Sequence, residues 1–148
     1  MLTVACDIDG VVADLHRSWL DAYEKDYNHH IESEEITAWA IHKFVKPECG
    51  GRIYTYLTAE LYKSVLPILG ALEGIQELRE NHRVVFVTSA PTGTGDAKYH
   101  WLCENGFLPK SRDAYGDGRV HPDFITCHDK SLIRADILID DRAENIQD

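Results

Sequence analysis

The sequence predicts an α/β domain on a mainly parallel sheet, with a helical segment inserted after the first strand. Three observations lead there. Four short apolar runs have strand character, helical patterns separate most of them, and across residues 13–67 the alternation stops.

Residues 2–7 (LTVACD) form an apolar run that ends in acid, and 83–89 (RVVFVTS) is β-branched and aromatic, bounded by Asn81 and Pro91. Residues 123–127 (DFITC) and 136–140 (DILID) repeat the design at shorter length. Runs this continuously apolar suit a sheet covered on both faces. Between them, 71–81 sets Leu72, Ile75 and Leu78 on one helical face. Residues 95–105 group Tyr99, Leu102 and Cys103, with Gly106 in the C′ position and Phe107 behind it.

The interval 13–67 contains no strand pattern. Helical pieces are expected at 14–27, 34–44 and 51–64, the last two separated by Pro47, Gly50 and Gly51. The expected organisation is a core of residues 1–12 and 68–148, with 13–67 as a helical cap insertion.

A length of 148 residues fits one domain with such an insertion, and an apolar share of 44% is enough for a sizeable core. No run approaches the ~20 continuous apolar residues of a membrane span. The opening MLTVACDIDG has no basic start and meets acid at once, unlike a signal peptide, so a cytoplasmic protein without a membrane partner is expected. A net charge of −10 repels nucleic acid and argues against a duplex-binding surface. A small anionic substrate needs only local positive charge, which a divalent cation and one or two lysines supply. The four cysteines, Cys6, Cys49, Cys103 and Cys127, have no CxxC spacing. They read as free thiols, three of them buried, and their spacing does not suit a structural zinc site.

Chemistry is concentrated at strand ends. Asp7 and Asp9 lie two apart in DIDG, so both carboxylates can face one spot at the C-terminal end of the first strand. Gly10 then allows a sharp turn. Asp140-Asp141-Arg142 follow the last apolar run, and a parallel sheet brings them to the same edge. Clustered carboxylates repel, and a hard cation such as Mg²⁺ among them relieves the repulsion. The bland alternatives are an Asp-rich turn and a solvated acidic loop. Thr88-Ser89 end the most apolar run, where hydroxyls and free N–H groups bind phosphate oxygens. Lys130 stands ten residues before Asp140 and gains meaning only from this company.

In that order, DxDG, Thr-Ser, Lys and Asp-Asp, the chain resembles the haloacid dehalogenase (HAD) superfamily over residues 4–142. DIDGVVAD, VFVTSAP, Lys98-Tyr99-His100-Trp101 and DK-x8-DILIDDR are similar to the 5′(3′)-deoxyribonucleotidase family within it. The resemblance implies a HAD-like Rossmannoid core with a small cap, and a Mg²⁺-dependent phosphatase acting on a small phosphate ester, a (deoxy)nucleoside monophosphate. It implies that Asp7 attacks phosphorus and Asp9 is the general acid and base. Asp7, the main-chain carbonyl of Asp9 and Asp140 would hold Mg²⁺, with Asp141 in support. Thr88, Ser89 and Lys130 would grip the phosphoryl oxygens, and Lys98 would add a further phosphate contact.

Trp39 and Phe44, on the second cap piece, are candidates to stack on a base, the alternative for each being cap packing; Trp101 reads as a packing residue. Two departures stand out. Relatives continue past Asp-Asp with another helix and strand, so either the sheet lacks an edge strand or a second copy covers that edge in a homodimer. Leu15 also stands where some relatives carry an aromatic residue, so base recognition is not carried over. Alternatives that use the same motifs are a HAD phosphatase for a sugar phosphate or polynucleotide end, and an inactive HAD-like domain that binds metal or phosphate. A response-regulator receiver places its adjacent acids first instead of last.

Overall fold

The computed structural model describes residues 1–109 and 120–142. Its four described strands are β1 (Thr3–Cys6), β2 (Arg83–Thr88), β3 (Phe124–Thr126) and β4 (Ile137–Ile139), each inside one of the four apolar runs. They pair in the order β3-β2-β1-β4 and every pairing is parallel. Because side chains alternate along a strand, Val4, Cys6, Val84 and Phe86 enter one core cluster. Ala5, Val85 and Val87 face the other way, against Ile125 and Leu138.

Helix α1 (Leu15–Tyr27) starts at Asp14, whose side chain accepts from the Arg17 amide, and buries Leu15, Trp19, Leu20 and Tyr23. α2 (Ala59–Tyr62) is a single turn, α3 (Ala71–Arg79) precedes β2, and α4 (Gly95–Glu104) follows it. Gly106 closes α4 with φ +82°. The Phe107 amide bonds the Leu102 carbonyl at 2.9 Å and the Gly106 amide the Cys103 carbonyl at 3.3 Å, a Schellman closure that turns Phe107 into the core.

The stretch between β1 and α3 departs from the expected helices. Where a helix is expected over 34–44, the chain holds two 3₁₀ turns, Ser33–Glu35 and Ile41–Lys43. Glu32 and Glu35 cap the first reciprocally, and the second buries only Ile41, too little apolar surface to pin a longer helix. Residues 51–64 divide into a 3₁₀ helix, Gly50–Tyr56, and α2, because the Thr58 side chain accepts from the Leu61 amide and starts a new helix there. The stretch leaves and rejoins the core at a bridge between Ala13 and Pro67, and Ile68 N–H donates to the Val12 carbonyl at 2.8 Å. Trp101, buried in α4, stacks on Phe107 and donates its indole N–H to the Val65 carbonyl at 2.9 Å, which ties the stretch to the core.

Cys6 and Cys49 are buried, whereas Cys103 and Cys127 are half-exposed; two thiols are enclosed, not three. No described helix is long and apolar enough to cross a membrane. The expected edge-strand gap or homodimer edge involves residues past Arg142, which lie outside the described residues.

Candidate active site

Asp7 directly follows β1, and its amide donates to the Ile139 carbonyl at 2.9 Å. The chain then coils around the Ile8 carbonyl, which accepts from the amides of Val11, Val12 and Ala13 at 3.2, 2.9 and 3.0 Å. Gly10 allows this coil with φ +79°. Since β4 is the parallel neighbour of β1, with Cys6 opposite Ile139, Asp140 emerges beside Asp7. Carboxylate oxygens of Asp7, Asp140 and Asp141 lie within 4.8 Å of one another.

Lys130 opens a 3₁₀ turn, Lys130–Leu132, capped by Asp129. Its buried Nζ lies 3.0 Å from Asp7 Oδ1 and 2.7 Å from Asp140 Oδ2. Burial alone would lower the Lys130 pKa, but the two carboxylates outweigh it and hold the ammonium above its ordinary range. Three acids with one lysine leave negative charge in excess. Burial, followed by the charges of Asp7 and Asp140, pushes Asp141 up to about 7, and burial raises Asp7 against the pull of Lys130. All the donors are hard oxygens, the set that suits Mg²⁺ or Ca²⁺, so the residues fit a divalent cation. The Asp9 carboxylate is not in this group, so its expected share in holding the metal would fall to its main-chain carbonyl.

That carboxylate is engaged elsewhere. Tyr62 Oη donates to Asp9 at 3.1 Å from each of Oδ1 and Oδ2, and Lys98 Nζ lies 2.7 Å from Oδ2. Burial, then the Asp9 charge, raises the Tyr62 pKa, so the phenol stays protonated. Lys98 also donates to Thr88 Oγ1 at 3.0 Å and to the Ser89 carbonyl at 2.9 Å. With a relative exposure of 2% and three hydrogen bonds to protein groups, Lys98 braces Asp9 and the end of β2 where it lines the cavity. Ser89 Oγ lies 3.1 Å from His128 Nδ1.

Asp7, Asp9, Ser89, Lys98, Lys130 and Asp140 form the floor of a cavity of about 240 Å³. Its upper wall comes from the stretch between β1 and α3, through Leu15, His16, Trp39, Ile41, Tyr54 and Leu57. Trp39 lines it at 45% exposure, with the Arg142 guanidinium 5.3 Å from its ring centre. Phe44 is not among the lining residues: it follows the turn Ile41–Lys43, and Ile41 is the residue that faces the cavity. Tyr62, His16 and His128 were not singled out from the sequence. His128, two before Lys130, had a positional hint; the other two had none.

A parallel sheet whose C-terminal edge gathers Asp7, Lys130, Asp140 and Asp141 defines the class, an α/β protein with an acidic, lysine-bearing site at its strand ends. The chain belongs to the family described as 5′ nucleotidase, deoxy (Pyrimidine), cytosolic type C protein, whose model matches residues 1–148. It is 30% identical over 148 residues to a 5′(3′)-deoxyribonucleotidase of Bacillus subtilis, covering 97% of this chain and 78% of that one. The protein of the same name from Clostridium acetobutylicum is 28% identical over 147 residues, covering 98% and 76%. Among solved structures, a hydrolase from Streptococcus pneumoniae matches with a TM-score of 0.51 at 14% identity, covering 89% of this chain and 69% of that one, a likeness of fold.

Proposed function

We propose that this protein is a cytoplasmic, Mg²⁺-dependent phosphomonoester hydrolase that dephosphorylates (deoxy)nucleoside monophosphates, with Asp7 as nucleophile. The observation that carries the reading is the meeting of Asp7, Lys130, Asp140 and Asp141 under a cavity walled by Trp39 and Tyr54. Membership of the nucleotidase family supports the substrate class.

Asp7, Asp140 and the main-chain carbonyl of Asp9 would hold the metal, with Asp141 in support. A bound Mg²⁺ would offset the carboxylate repulsion and add positive charge beside the phosphoryl oxygens. An Asp7 oxygen attacks phosphorus and the ester P–O bond breaks, leaving a phosphoryl group on Asp7. Asp9 gives its proton to the departing alkoxide, then takes one from the water that hydrolyses the acyl phosphate. Lys130 and Ser89 hold the phosphoryl oxygens as charge spreads over them, and the Thr88 hydroxyl, already bonded by Lys98, orders that strand end. Residues 13–67 act as a cap that encloses the nucleoside.

Phosphate release from a panel of ribo- and deoxynucleoside 5′- and 3′-monophosphates and sugar phosphates, in Mg²⁺, tests the reading. Turnover led by nucleotides is expected; turnover confined to sugar phosphates would overturn the substrate assignment.

A further inference from the structure

The Tyr62 hydroxyl has one proton and sits 3.1 Å from both carboxylate oxygens of Asp9, so it bridges them instead of favouring one. The ring is buried in α2, where packing alone would be served by phenylalanine; the hydroxyl requires a partner, and Asp9 is that partner. Lys98 reaches the same carboxylate from α4, its Nζ 5.7 Å from the Tyr62 ring centre, and α2 and α4 pack together. Asp9 is thus held by two donors from two elements, one on each side of the boundary between the core and the stretch 13–67. A carboxyl group on a short side chain rotates freely unless both oxygens are engaged, and proton transfer requires it within hydrogen-bond reach of the leaving oxygen.

We propose that Tyr62 is a positioning residue for Asp9, orienting the carboxyl group for proton transfer to the leaving alkoxide. The proposal rests on the reading of Asp9 as general acid and makes seating of α2 a condition of fast turnover. A residue that acts through Asp9 matters where the leaving group needs a proton, and ceases to matter once Asp9 has lost its function.

The test measures steady-state kinetics of wild type, Tyr62→Phe, Asp9→Asn and the double variant on a deoxynucleoside 5′-monophosphate and on p-nitrophenyl phosphate. For the nucleotide, Tyr62→Phe is expected to lower kcat about tenfold with KM nearly unchanged, as loss of one positioning hydrogen bond suggests. For the aryl ester, whose leaving group needs little protonation, the loss should be less than about twofold, and adding Tyr62→Phe to Asp9→Asn should cost equally little. Equal losses on both esters, a full further loss in the double variant, or an unchanged kcat would overturn the proposal while Asp9→Asn still shows its ester-selective defect. An Asp9→Asn enzyme with full nucleotide turnover would overturn the Asp9 reading and, with it, this proposal.

Discussion

Gly10 and Asp141 are packed so closely that a Cβ on the glycine would fall 2.0 Å from Asp141 Oδ2. The glycine does two jobs: its φ of +79° turns the chain after Asp9, and its missing side chain leaves room for an acid arriving from β4. Gly10→Ala should cost about 1–2 kcal/mol in backbone strain alone. It should also displace Asp141, so Mg²⁺ affinity should fall by more than the melting temperature alone would suggest. Calorimetric titration of Mg²⁺ beside a melting curve checks this; normal metal binding in a folded variant would contradict it.

Metal should govern both activity and stability. Turnover should vanish with EDTA and return with Mg²⁺. At a concentration 100 times the dissociation constant, Mg²⁺ should stabilise the fold by about 2.7 kcal/mol. Asp140→Ala should abolish that gain. The checks are thermal melts with and without Mg²⁺ and elemental analysis of the EDTA-treated enzyme.

Trp39 and Phe44 should behave differently. Trp39 lines the cavity, and stacking on a base is worth roughly 1–3 kcal/mol. Trp39→Ala should therefore lower kcat/KM for a nucleotide by about one to two powers of ten and leave an aryl phosphate nearly untouched. Phe44→Ala should change both substrates alike or neither. A nucleotide-selective loss at Phe44, measured on the same two substrates, would count against this geometry.

His30 gives the fold a pH dependence away from the site. Its ring nitrogens lie 2.9 and 2.8 Å from Glu24 and Glu32, and hydrogen bonds to Glu24, then Glu32, raise its pKa from 6.5 to about 9. The native state keeps a proton that the unfolded chain has released between those values. The contribution is therefore full below pH 6.5 and is lost as pH rises through about 9. His30→Gln should flatten the urea-derived stability across that window, and an unchanged slope would contradict the pairing.

What the sequence made legible follows from how far each signal reaches along the chain. The four strands, α3, α4 and the Gly106 closure come from apolar spacing and turn chemistry within a dozen residues. The order of Asp7, Thr88, Lys130 and Asp140 is readable because each ends or follows a recognisable strand. Residues 34–44 carry a helix-like pattern but form turns, because Ile41 and Trp39 are placed by what they face across the cavity, not by a local period. The bracing of Asp9 was hidden for the same reason: Tyr62 lies 53 residues away and Lys98 lies 89 away, and only the fold brings them together.

In the proposed reaction Asp7 carries the phosphoryl group during turnover. Acid-quenching the enzyme while it hydrolyses a deoxynucleoside 5′-monophosphate, followed by peptide mass mapping, tests it most directly, because an acyl phosphate survives long enough in acid to be located. A phosphoryl group on Asp7 is expected, absent from Asp7→Asn, which should also lose turnover. A phosphoryl group on another residue, or Asp7→Asn turning over at the wild-type rate, would contradict it.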